Sequence, residues 1–229
     1  MSAMNMEYGQ PGTFRVKDPV STLTHFIGFL MSIAAMPLLL IHHMNHGAQM
    51  SDLCADAVFM LSMILLYGAS SAYHAFDVRR DAASALKKTD HMSIFILIAG
   101  TYTPVCVSIL PHRTGMILLY VIWSIAAAGL IFKFCWVTCP RWVSSVLYTG
   151  MGWAAVSVLP SLLEVMSPAE FTLLLSGGII YSAGGVIYAL KKRITPISWE
   201  GFGNHELFHI FVMLGSLCHF LMIFIHSFF

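Results

Sequence analysis

The chain has 229 residues, of which 58% are hydrophobic and 10% charged, with a formal net charge of +1 and a mean hydropathy of +0.77. Soluble domains carry about a quarter of their residues as charges, so this composition excludes an ordinary soluble protein and points to an integral membrane protein. Near-neutral charge without a long basic run also excludes an electrostatic nucleic-acid binder and directs the search for partners to the lipid bilayer.

Residues 1–17 (MSAMNMEYGQPGTFRVK) have no apolar core of the signal-peptide kind, so the first apolar run is expected to stay as a helix. A hydrocarbon layer about 30 Å thick takes ~20 helical residues at ~1.5 Å each. Seven segments reach that length: 20–42, 53–76, 90–110, 115–134, 143–163, 169–190 and 205–228. The expected fold is therefore all-α, a seven-transmembrane helix bundle, with a short cytoplasmic tail at 1–19 and one membrane domain at 20–229. Asp18 before Pro19 has the form of an N-cap with proline in the first turn. Pro104 in GTYTP and Pro160 in SVLPS are expected to bend the third and fifth helices. The pairs Gly178/Ser182, Gly185/Ala189 and Gly150/Ala154 suit close helix approach.

Lysine and arginine set the orientation. Arg15 and Lys17, Arg79, Arg80, Lys87 and Lys88, Lys133 and Arg141, and Lys191, Lys192 and Arg193 all fall on one side, leaving only Arg113 on the other. The positive-inside rule then places the amino terminus in the cytoplasm and the carboxyl terminus outside. Five cysteines, Cys54, Cys106, Cys135, Cys139 and Cys218, lie in or beside apolar segments with neither disulfide-framework nor zinc-knuckle spacing, and read as small buried hydrophobes.

With that topology the polar residues fall at definite depths. Ser70 and His74 in YGASSAYHAFD close the second helix at its cytoplasmic end, Asp90 in KKTDHMSIF opens the third there, and His205 and His209 in HELFH open the seventh. Residues four apart share a helix face, so His205 and His209 can hold one ion, and Ser70 and His74 are related in the same way. A third imidazole completes a tetrahedral site with one open position, the arrangement of catalytic zinc. Imidazole donors favour zinc over calcium or magnesium and leave iron, copper and nickel open. An isolated intramembrane histidine is commonly a packing residue, but ionisable groups are costly in hydrocarbon and their convergence calls for a shared cause.

His25 is the strongest competitor for a ligand role. His91 points about 100° away from Asp90 on the helix and is assigned to a neighbour or the headgroups. His219 lies about 15 Å beyond His209 along the axis, too far to share its ion. His42, His43, His46, His112 and His226 are assigned to solvated faces near the outer side. The stretch from His205 to His209 also spells the metalloprotease pattern His-Glu-x-x-His, but Glu206 points off the ligand face and suits hydration or the positive helix N-terminus.

The segments SSAYH, KKTDH through GTYTP, and HELFH followed by CHF together resemble the haemolysin III proteins of bacteria and their eukaryotic relatives, the progestin and adipoQ receptors, which include the adiponectin receptors. The resemblance runs over essentially the whole chain, and the Thr24–His25 pair is closest to the bacterial branch. It implies a bundle inverted relative to G-protein-coupled receptors, with Zn2+ near the cytoplasmic face on His74, His205 and His209. It further implies that Asp90 reaches the zinc through water, with Ser70 nearby. The receptor relatives are associated with ceramidase-like hydrolysis and the bacterial ones with haemolysis and membrane-lipid homeostasis. Glu206 is no fixed part of the family pattern. The long amino-terminal domain of the adiponectin receptors has no counterpart here, so hormone binding is not implied.

Two functions compete at this point. One is a zinc-dependent hydrolase of a lipid amide or ester, in which Asp90 orients the zinc-bound water or takes its proton, Ser70 is a hydrogen-bond donor behind the ligands, and the helices admit the fatty-acyl substrate sideways from the bilayer. The other is a non-enzymatic sensor or regulator in which zinc ties the second, third and seventh helices together. Pore formation is weaker, because no continuous polar face lines a channel.

Overall fold

A computed structural model describes residues 16–190 and 202–226. Arg15 and the basic cluster Lys191, Lys192 and Arg193, used above for orientation, lie outside the described residues, as does most of the amino-terminal tail.

Among the described residues there are seven helices long and apolar enough to cross a membrane, and no strand: α1 (Pro19–Asn45), α2 (Met50–Ala75), α3 (Arg80–Ile109), α4 (His112–Cys135), α5 (Arg141–Val165), α6 (Pro168–Ala189) and α7 (Asn204–Phe224). Six of these agree with the sequence reading to within a few residues at each end. The third begins ten residues before the expected Asp90. Its first turns, RDAASALKK, are too charged to register as a span, yet they hold the helix and carry it beyond the apolar zone.

Neighbouring helices run antiparallel, and contacts place the basic ends together. Lys17 Nζ donates to the Tyr73 carbonyl at 2.8 Å, Lys88 lies over the Phe134 ring at 4.5 Å, and Arg141 lies over the Tyr188 ring at 5.6 Å. Arg113 starts α4 at the opposite end. α3 is the most buried span and α5 and α6 are the least. Phe59, Met60, Tyr67, Phe95, Ile122 and Met222 form the interior, whereas Leu38, Ile117, Tyr120, Ile131 and Val186 project outward. In water that exterior would be an aggregation surface, but against lipid tails it carries no such cost.

Both signalled prolines fall where the winding changes. Pro104 has no N–H for the helical ladder, and the chain passes there from α-helix into a π-helical turn, Val105–Ile109. Ahead of Pro160, α5 tightens to a 3-10 stretch at Trp153–Val158. Tyr102 of α3 props this stretch, its hydroxyl accepting from the Ala155 N–H at 2.8 Å and donating to the Gly152 carbonyl. Buried backbone groups freed by such distortions need partners of this kind.

The expected small-residue contacts hold in part. A Cβ on Gly185 would meet Thr149 Oγ1 at 3.0 Å, but Gly150 and Gly178 face open space. Close approach instead uses Gly177 and Gly215 on the α6–α7 interface, where an added Cβ would stand 2.7 Å from the rings of His219 and Tyr181 respectively.

Several polar residues also depart from the assignments above. His43 is not solvated: it is fully buried, with Nδ1 2.6 Å from Asp56 Oδ2 and Nε2 3.1 Å from the Ile223 carbonyl. α1 runs to Asn45 and carries the His43 ring inside the bundle, where a polar group must be paired. His226 Nδ1 lies 2.7 Å from Glu170 Oε1, tying the end of α7 to the start of α6. The cysteines are free but not uniformly buried, since Cys54 and Cys135 are exposed. Cys139 is not a simple hydrophobe, because the buried Lys133 ammonium donates to its sulfur at 3.2 Å and to Ser144 Oγ at 2.6 Å.

Candidate metal centre

The site lies at the basic end of the bundle, where α2 stops and α7 begins. His74 occupies the last turn of α2, one turn past Ser70, and His205 and His209 occupy the first two turns of α7. Their i, i+4 spacing aims both α7 rings at the end of α2. Ring centroids are 4.9 Å apart for His74–His205, 5.1 Å for His74–His209 and 4.6 Å for His205–His209. One donor atom from each of the three lies within 4.8 Å of the others, and the Nε2 atoms of His74 and His205 approach to 3.0 Å. Two nitrogens on one tetrahedral zinc stand about 3.3 Å apart. Three histidines are thus placed to hold a metal ion.

The outward nitrogen of His74 is also engaged. Its Nδ1 lies 2.9 Å from Asp18 Oδ2. Asp18 precedes α1 with Pro19 in the first turn, as expected from sequence, but its side chain makes no capping hydrogen bond. The carboxylate turns instead to the imidazole, while the Asp18 N–H donates to the His74 carbonyl at 2.9 Å. A carboxylate on the far nitrogen fixes a ligand's tautomer and raises its basicity. The spacing of 56 residues gives no local sequence signal for this partnership. His209 Nδ1 is 3.4 Å from Thr24 Oγ1.

Asp90 is buried beside Ser70 and interacts electrostatically with His74. It does not belong to the close group of donor atoms, so its place is one step outside the three nitrogens. Ser70 is also buried; its hydroxyl, though adjacent to Asp90, has no partner in hydrogen-bond geometry among the described residues. His25 stacks on His209 with centroids 3.7 Å apart and planes at 9°, and both its ring nitrogens are buried without a hydrogen-bond partner among the described residues. Stacked in parallel, His25 is outside the close group. Of the two alternatives for His91 the structure shows a neighbour: the residue lines the interior cavity, and Tyr148 donates to its backbone carbonyl at 3.0 Å.

Glu206 accepts from the Gly203 N–H at 2.7 Å and from Ser21 Oγ at 2.8 Å. It serves the start of α7 and joins it to α1, in keeping with the helix-terminus reading rather than with a metalloprotease base.

A cavity of about 360 Å³ opens from Ser70, Asp90, His205 and His209 and runs between α3, α5, α6 and α7 past Ile98, Leu162 and Val212. Its size lies within the range of small-molecule sites, and its wall is mainly apolar with a few convergent polar groups.

Fold and site together define a multi-pass membrane protein of seven helices with a three-histidine cluster at one end of an apolar cavity. The model of the haemolysin-III related family matches residues 14–220. The chain is 36% identical over 208 residues to the hemolysin-3 homolog of Bacillus subtilis (strain 168), covering 90% of this chain and 93% of that protein. It is likewise 36% identical to hemolysin-3 of Bacillus cereus, covering 88% of each. Similarity extends to the adiponectin receptor protein of Drosophila melanogaster, at 23% identity over 90% of this chain and 50% of that protein. The chain belongs to the haemolysin-III related family and is a multi-pass protein of the cell membrane.

Proposed function

We propose that this protein is a zinc-dependent hydrolase of a lipid amide or ester, acting in membrane-lipid homeostasis, with the three-histidine cluster near the cytoplasmic face. The observation that carries the reading is that His205 and His209 of the cluster, with Asp90 and Ser70, line one mainly apolar cavity. The donor set suits such an ion in number and type, with the three donor atoms within 4.8 Å of one another, and the Asp18 carboxylate offers the outer support that histidine ligands commonly have. Bound there, zinc would polarise an acyl carbonyl and make water a competent nucleophile near neutral pH.

The remaining work falls to the chain itself. Asp90, buried and one step from the cluster, orients the attacking water and accepts its proton. Ser70, beside Asp90 on the cavity wall, offers its hydroxyl to the substrate carbonyl. The cavity receives the acyl chain and keeps bulk water from the reacting group. The general lack of other charged groups along its wall suits a hydrocarbon tail rather than a polar polymer.

The decisive variant is Asp90→Asn, which keeps shape and removes the base. With metal content unchanged, turnover of long-chain amides or esters should fall by about a hundredfold or more. A wild-type protein inert on a broad panel of such lipids, or an equally active variant, refutes the assignment.

A second reading, a non-enzymatic regulator with zinc as a clamp, has its own support in the helices that meet at the site. The histidines join α2 to α7, and Asp18 and Ser21 add α1. On that reading chelation lowers thermal stability, and no lipid is turned over.

A further inference from the structure

A second polar station lines the cavity wall. His219, ten residues beyond His209 on α7, lines it and is buried, with no partner for Nδ1 among the described residues. Beside it is Tyr181 of α6, whose ring stacks on His219 with centroids 5.3 Å apart. The Tyr181 hydroxyl lies 2.8 Å from Ser216 Oγ, which also accepts from the Tyr67 hydroxyl at 2.7 Å.

The backbone makes room for both rings reciprocally. Gly177 of α6 lies under the His219 ring and Gly215 of α7 under the Tyr181 ring, each so close that a Cβ would stand 2.7 Å away. Two glycines on facing helices thus admit two polar rings to a mainly apolar wall. Packing alone would be served by a leucine, whereas a buried imidazole nitrogen without a partner is costly. A ligand group in the cavity would remove that cost.

We infer that His219, with Tyr181 beside it, is a specificity site for a hydroxyl group carried part-way along the acyl chain of the bound lipid. This rests on the reading that the cavity takes an acyl chain. Ten helical residues span about 15 Å. An extended chain advances about 1.25 Å per carbon at ordinary bond lengths and angles, which places the hydroxyl about ten to twelve carbons from the carbonyl held at the histidine cluster. A hydroxyl matches the station because it both donates and accepts, and so meets either imidazole tautomer.

The test measures direct binding of octadecanoic acid, its 12-hydroxy derivative and its 2-hydroxy derivative to the full chain in detergent, with hydrolysis of the corresponding amides followed in parallel. Wild type should bind the 12-hydroxy acid about tenfold more tightly than octadecanoic acid, the equivalent of one satisfied hydrogen bond. The 2-hydroxy acid should gain nothing. His219→Leu should abolish the preference, so that the 12-hydroxy acid binds no more tightly than octadecanoic acid to the same variant, while His219→Gln, which keeps a donor and an acceptor, should retain part of the preference if the leucine variant fails to fold. Equal binding of all three acids by wild type, or a preference that survives in His219→Leu, overturns the inference alone. Hydrolysis without positional preference does the same and leaves the hydrolase standing. A positional preference in a protein that hydrolyses nothing supports the specificity site while the hydrolase falls. Failure to bind octadecanoic acid at all removes the premise and the inference together.

Discussion

Replacing Asp18 by alanine probes the support beneath the proposed ligand set. The carboxylate reaches His74 Nδ1 at 2.9 Å, and His74 Nε2 is left for the cluster. Removing such an outer partner commonly lowers metal affinity by about 10–100-fold. The Asp18 side chain is 44% exposed, so solvent screens much of its charge, and the lower end applies: about tenfold, or about 1.4 kcal/mol. Asp18→Asn, which keeps an acceptor oxygen without the charge, should lose less. The effect should be confined to the metal, because the side chain does not cap α1 and the backbone bond from the residue 18 N–H to the His74 carbonyl survives either change. Competitive titration of purified protein against a zinc chelator gives the affinity, and far-UV circular dichroism checks the helices. Asp18→Ala protein that binds zinc as tightly as wild type would refute the proposed support.

Glu206→Gln should leave metal content and any hydrolysis within about twofold of wild type, since the glutamine oxygen can still accept from Gly203 and the residue has no part in the chemistry; a loss of turnover with metal retained would restore the metalloprotease-type base. At the opposite end of the bundle, Asp56→Ala removes the carboxylate beside the buried His43 Nδ1 and should destabilise the protein by about 3 kcal/mol, read as a lowered unfolding temperature in detergent. The double variant with His43→Leu should recover part of that loss, and purely additive losses would show that the two side chains do not act as a pair.

The spans were legible because lipid demands long apolar helices, and the basic loops marked their ends. The start of α3 was not, because the turns from Arg80 to Lys88 lie beyond the apolar zone and carry no hydropathy signal. His205 and His209 could be paired from their spacing, and His74 joined them once antiparallel helices set its depth; the structure brings these three rings together. The role of Asp18 was hidden because its position before Pro19 already has a sufficient local explanation as a cap. His43 misled for a related reason. The run HHMNH reads as a solvated helix end, and only the packing of α1 against α2 shows which of those histidines turns inward to Asp56. His219 was correctly separated from the cluster by distance, but its place on the cavity wall depends on glycines of two helices that no spacing rule connects.

The central claim is that His74, His205 and His209 share one metal ion. It is tested most directly by elemental analysis with zinc X-ray absorption on purified wild type and the three single alanine variants. The expected result is one zinc per chain with three imidazole nitrogens at about 2.0–2.1 Å, and loss of the metal in each variant. A wild-type protein without stoichiometric metal, or variants that all keep it, would contradict the claim.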